Sequence, residues 1–169
     1  MSSSKPPPRD EAGRARRLAR RYLRFGVRSI HETRTHLQAA GIPARTIASV
    51  LVACARQDLV DDRACAKLWA ARLADRGYAW GAVREQLLEK GLDPRVVTQV
   101  LAPLAARDPD ASRARLLLER EIDRARAART RASRRGLHAR WARLLARRGF
   151  EPDLIDQVLA DSPEPASAD

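Results

Sequence analysis

Apolar side chains recur at three- and four-residue spacings along nearly the whole chain, interrupted by short Gly, Pro and Asp signals and never settling into strand-like alternation. The pattern predicts an all-α protein of roughly nine helices. One phrase recurs: "LQAAGIPARTIASVL" at 37–51, "LLEKGLDPRVVTQVL" at 87–101 and "LARRGFEPDLIDQVL" at 145–159. Counted from Gly41, Gly91 and Gly149, Leu37, Leu87 and Leu145 stand four residues before, and Ile47, Val97 and Ile155 six residues after. Val50, Val100 and Val158 follow, each trailed by leucine. Backward from the glycine, Ile30, Trp80 and His138 share one position, and Thr33, Val83 and Trp141 another.

The phrase reads as the end of one helix and the start of the next. Glycine supplies the left-handed residue of a Schellman stop, whose following residue packs back one turn, pairing Leu37 with Ile42, Leu87 with Leu92 and Leu145 with Phe150. Asp93 or Glu151 then stands at the N-cap, with Pro94 or Pro152 in the first helical position. In the first copy the proline comes earlier, at Pro43, and the cap is less regular.

Before each phrase lies a further helix: Arg14 to Phe25, Asp61 to Arg76 and Ala111 to Arg134. Asp61 is placed to cap the second of these, with Val60 and Cys65 as a hydrophobic staple. The expected organisation is three tandem three-helix repeats, at 13–57, 58–108 and 109–160, between disordered tails at 1–12 and 161–169. Units this small gain stability by burying faces against neighbours, which predicts an elongated array, straight or curved. Such an array needs no second chain to close its core, so the expected state is a monomer.

Composition sharpens the picture through charge. Of 169 residues, 33 are Lys or Arg and 21 Asp or Glu, a net +12, and only 4% are aromatic. Genomic base composition also enriches arginine, so distribution matters more than the total. Residues 14–28 carry seven arginines and no acid, and 113–148 carry thirteen arginines against Glu119, Glu121 and Asp123. Residues 56–110 hold nine basic and nine acidic side chains. On the first helix, Arg17, Arg21, Arg24 and Arg28 form one stripe while Leu18, Tyr22 and Phe25 form an apolar one. Guanidinium faces of this kind suit nucleic-acid phosphate more than base-specific recognition. The candidate contact residues are Arg14, Arg17, Arg20, Arg21, Arg24 and Arg28, together with Arg113, Arg120, Arg124, Arg131, Arg134 and Arg135.

Other chemistry is weakly signalled. Trp69, Trp80 and Trp141 fall on apolar faces and read as core rather than base-stacking platforms. Cys54 and Cys65 lack CxxC spacing and read as buried apolar residues, not a zinc site or disulfide framework. His31, His36 and His138 are scattered, and Asp61 with Asp62 is better explained by helix capping than by acid–base catalysis. No catalytic residue, metal or cofactor is expected. The N-terminus lacks the apolar segment of a signal peptide and no run is long enough to span a membrane, so a cytoplasmic protein is expected.

The stretch "DLVDDRACAKLWAARLADRGYAWGAVREQLLEKGLD", followed by "PRVVTQVL", resembles the RecX family of bacterial regulators of the RecA recombinase. The resemblance covers roughly residues 14 to 160: Leu59 to Asp62 match the family's opening "L-hydrophobic-D-D/E" segment, Arg76 and Gly77 its basic-glycine break, and Lys90 to Leu92 its "KG"-apolar helix end. Cys65 stands where relatives commonly carry an aromatic residue, and the first helix of the third repeat is longer and richer in arginine. The resemblance implies a non-enzymatic modulator that binds in the groove of the RecA–DNA filament and restrains strand exchange, ATP hydrolysis and coprotease activity. Its implied partners are the RecA filament and single- or double-stranded DNA. Competing expectations are a general nucleic-acid-binding helical protein acting without a recombinase, or a pure protein scaffold.

Overall fold

The computed structural model describes residues 8–127 and 134–162. The described residues form nine α-helices and no strand: α1 (Pro8–Leu23), α2 (Ile30–Ala39), α3 (Ala44–Arg56), α4 (Asp62–Asp75), α5 (Trp80–Glu89), α6 (Pro94–Arg107), α7 (Asp110–Ala127), α8 (Arg134–Arg147) and α9 (Pro152–Ala160). The all-α expectation holds. One boundary is corrected: α1 begins at Pro8, so residues 8–12 are helical rather than part of a tail. A proline with its fixed φ and missing N–H is well suited to a first helical turn. Residues 1–7 and 163–169 of the expected tails, and 128–133 of the expected long helix, lie outside the described residues.

The chain divides into two compact units, residues to Trp69 with Leu87–Val97, and Ala70–Gln86 with Thr98 onward. In the first, α1, α2 and α3 enclose Ala15, Ala19, Leu37, Ile42, Ile47, Val50, Leu51, Cys54 and Val60. Alanines at the closest approach of α1 let its backbone come near its neighbours, and each large aliphatic side chain removed from water stabilises the unit by about 1.5–3 kcal/mol. In the second unit α7, α8 and α9 enclose Leu118, Ile122, Leu137, Trp141, Leu145, Phe150, Ile155 and Val158, joined by Ala79.

The recurring phrase forms the joint its grammar predicts. Ile42, Leu92 and Phe150 donate their N–H to the carbonyls of Leu37, Leu87 and Leu145 at 3.1, 3.3 and 3.2 Å, and the glycine before each donates to the residue three back. Gly41, Gly91 and Gly149 have φ of 73°, 74° and 81°, as a Schellman stop requires. Asp93 caps α6 by accepting the Arg95 N–H at 2.7 Å, whereas Glu151, at the N-cap position of α9, makes no side-chain capping bond. Pro152 instead fixes the first turn.

The helices between these joints are anchored by partners distant in sequence. Ser29 caps α2 in a reciprocal capping box with Glu32, and the Ile30 N–H donates to Asp62 Oδ1 at 2.8 Å. At the corresponding place in the second unit, the Trp80 N–H donates to Asp110 Oδ1 at 2.9 Å and the Ala79 N–H to the Arg148 carbonyl at 2.9 Å. Each aspartate begins the next helix but one in the chain, α4 after α2 and α7 after α5. Each carboxylate thereby accepts the first backbone N–H of a helix, a donor with no partner within its own helix.

Candidate nucleic-acid interface

The face of α1 opposite Ala15 and Ala19 presents Arg14, Arg17, Arg20 and Arg21 to solvent, and Arg24 is exposed just beyond the helix end. The sequence from Arg14 to Arg28 contains no Asp or Glu, and the acids of α1, Asp10 and Glu11, precede it. Arg14 also donates to the Ala40 carbonyl at 3.1 Å, tying the first turns of α1 to the end of α2. Arg28 is half-buried, its guanidinium 5.0 Å from the Tyr22 ring centroid, and Tyr22 stacks on His36 at 4.2 Å. Arg28 therefore braces the α1–α2 connection at the edge of the basic face. Phe25 departs from the expected apolar stripe: it lies beyond the last turn of α1 and is 77% exposed.

The second predicted cluster separates into different roles. Arg113 is removed from the candidate set, because it is 8% exposed. It donates to Asp108 Oδ2 at 2.9 Å and to the carbonyls of Tyr78 at 2.5 Å and Ala74 at 3.3 Å, with its guanidinium 4.3 Å from the Trp80 ring centroid. It is a fastener for the α4–α5 turn. Arg120 and Arg124 are exposed on α7, but Arg124 is paired with Glu121. Neighbouring Arg115 and Arg126 lie 3.6 Å from Asp161 and Asp123. Arg131 lies outside the described residues, and Arg134 and Arg135 lie outside those whose side chains are described.

A basic face on α8 was missing from the predicted set. Arg140, Arg143 and Arg147 are exposed at helical spacing, and no acid occurs between Asp123 and Glu151. The signal was present in the spacing, but a count over residues 113–148 did not separate this face from the neutralised one on α7.

The remaining polar and reactive groups have structural roles. Asp61 Oδ1 accepts the Ala64 N–H at 2.9 Å and caps α4, so both carboxylates of the Asp61–Asp62 pair are capping groups. Trp141 and Trp80 are buried, the latter donating Nε1–H to the Asp108 carbonyl at 2.7 Å. Trp69 is half-buried with Lys90 Nζ 3.7 Å from its ring centroid. Cys54 and Cys65 are buried and unbonded to each other. Burial pushes the Cys65 thiol up to about 11, helped by the nearby Glu32 and Asp62 carboxylates, and burial also raises Cys54. Among the described residues no His, Cys, Asp and Glu group could hold a metal ion, and no helix is long and apolar enough to cross a membrane.

No family model matches the chain. Whole-chain relatives do: the regulatory protein RecX of Mycobacterium avium is 32% identical over 166 residues, spanning 94% of this chain and 92% of the relative. The chain belongs to the RecX family. The RecX of Geobacillus kaustophilus is 33% identical over 154 residues, 90% of this chain but 55% of that longer relative. The crystal structure of RecX from Lactobacillus salivarius shares the fold, with a TM-score of 0.73 over 90% of this chain and 97% of that one at 19% identity. RecX relatives carry the description of regulatory proteins. In this RecX chain exposed arginines stand in stretches of sequence without Asp or Glu on α1 from Arg14, with the turn that follows it, and on α8.

Proposed function

We propose that this protein is a non-enzymatic, cytoplasmic regulator that binds the RecA–DNA filament and restrains recombinase, ATPase and coprotease activity. The observation that carries the proposal is the run of exposed arginines from Arg14 to Arg24, a stretch of sequence without Asp or Glu, on and just beyond a helix whose opposite side is buried in the core. Family membership supplies the class of target, and the charge supplies a means of engaging it. Arg17, Arg20, Arg21 and Arg24, with Arg140, Arg143 and Arg147, contact DNA phosphate or acidic filament surface. The charge-balanced segment 56–110 docks on protein. The chain is organised as three repeats, at 13–57, 58–108 and 109–160, and works as a monomer.

Co-sedimentation tests the proposal against its rival, a general nucleic-acid binder. The protein is mixed with RecA filaments on single-stranded DNA, with the same DNA alone, and with RecA alone. Retention with filaments well beyond the sum of the two controls is expected. Retention equal to that on naked DNA would favour the rival.

A further inference from the structure

We infer that the turn after α1 is a stacking site for an unpaired base, with Phe25 as the platform and Arg21 and Arg24 as the flanking phosphate contacts. Phe25 is the one exposed residue among the seven Phe, Tyr and Trp side chains of this chain. The other six are buried or half-buried, and two of the half-buried rings, Tyr22 and Tyr78, lie against Arg28 and Arg148. Leaving a phenyl ring in water forgoes stabilisation that the core readily provides elsewhere.

The local backbone holds the ring outward. The N–H groups of Phe25 and Gly26 close the end of α1 onto the carbonyls of Tyr22 and Leu23 at 3.4 and 3.5 Å. Gly26 then takes φ of 131°, and a Cβ placed on it would meet nothing within 4 Å, so the turn is open at the residue beside the exposed ring. Val27 beside it is 47% exposed, extending the apolar tip.

The surroundings select the occupant. Arg20, Arg21 and Arg24 lie within the last turn and its exit, all exposed, in a stretch without acids. A ligand for this tip must pair a flat apolar face with closely spaced negative charge. A nucleotide of a single strand does both, since a base stacks on an aromatic ring while its phosphates meet guanidinium groups. A duplex engages the arginines but keeps its base faces stacked away from Phe25. The inference rests on reading α1 as a nucleic-acid face and adds that the face distinguishes single strands by their bases.

The test uses the full chain without RecA, and fluorescence anisotropy with two labelled probes, an oligothymidylate and an abasic strand of the same length. Both carry the same phosphates, but only one carries bases. Wild type is expected to bind the thymidylate roughly tenfold more tightly than the abasic strand. Phe25→Ala should erase that preference while keeping abasic affinity, and Phe25→Trp should retain it. Arg21→Glu with Arg24→Glu should weaken binding to both. Equal wild-type binding to the two strands, or a preference that survives Phe25→Ala, would overturn the inference. Either result leaves the filament proposal to stand or fall on co-sedimentation.

Discussion

Asp62 Oδ1 accepts the backbone N–H of Ile30 at 2.8 Å across a sequence separation of 32 residues. Asp110 does the same for Trp80 at 2.9 Å, so two helices borrow a capping carboxylate from an element later in the chain. These bonds make the start of α2 and of α5 depend on tertiary structure. Asp62→Ala or Asp110→Ala should each lower stability by about 1–2 kcal/mol, a fall in Tm of several degrees. The Asn variants, which keep an acceptor and lose the charge, should fall between. Thermal melts followed by circular dichroism decide it, and an Ala variant that melts with wild type would show that the long-range cap carries no weight.

The three joint glycines are alike in φ but unlike in surroundings. A Cβ on Gly41 meets nothing within 4 Å, on Gly91 it would lie 2.2 Å from Cγ of the exposed His31, and on Gly149 it would lie 2.5 Å from the Ala82 Cβ. Gly41→Ala should therefore cost only the left-handed conformation, about 1 kcal/mol. Gly91→Ala should cost more and recover partly with His31→Ala. Gly149→Ala should cost most, because Ala82 has no side-chain torsion with which to yield. Denaturant midpoints rank the three, and equal losses would contradict the distinction.

The helix-to-helix joints were legible because each rests on a local code: glycine at the stop, apolar residues on either side, and proline or aspartate at the restart. Residues in the code are also core residues, as Leu37, Leu87 and Leu145 show. The capping box of α2 is equally local, since "SIHE" spells it with Ser29 and Glu32 three residues apart. The roles of Asp62, Asp110 and Arg113 were not legible, because they act on backbone atoms 30 to 39 residues away that sequence patterns do not mark. A charged residue on a helix reads as exposed by default, which is why Arg113 stands among the candidate contact residues. Phe25 failed in the opposite direction: helical spacing put it on the apolar face, but α1 ends at Leu23 and the ring follows the turn outward.

Arg113 and the α1 arginines should separate cleanly under mutation. Arg113→Ala strips the carbonyls of Ala74 and Tyr78 of a buried donor and removes the guanidinium from the Trp80 face, which should cost about 2–4 kcal/mol. Arg113→Lys should recover only part, since an ammonium lacks the planar fork. Arg21→Glu or Arg24→Glu, on exposed positions, should move stability by no more than about 0.5 kcal/mol. Urea melts of the variants compare these directly, and a silent Arg113→Ala would refute its role as a fastener.

The cysteines should be inert in the folded protein. With its thiol raised to about 11, Cys65 stays protonated as pH climbs through the ordinary thiol range near 9, and its thiolate appears only above that window. The folded state holds this proton more tightly than the unfolded chain, so the associated stability is present at lower pH and is lost as pH rises toward 11. Reaction with a thiol-specific disulfide reagent at pH 8 should be slow and should become fast in denaturant. Rapid stoichiometric labelling of the native protein would contradict the burial assigned to both thiols.

The arginine face of α1 is proposed to direct this chain to the RecA–DNA filament. The most direct measurement follows ATP hydrolysis by RecA on single-stranded DNA as the protein is added, for wild type and for a variant carrying Arg17→Glu, Arg21→Glu and Arg24→Glu, over a range of salt. Wild type should suppress hydrolysis at or below stoichiometric ratios and lose potency as salt rises, while the folded variant should suppress it weakly and with a shallower salt dependence. Equal suppression by both proteins would contradict the role of the α1 face, and no suppression by wild type would contradict the proposed function itself.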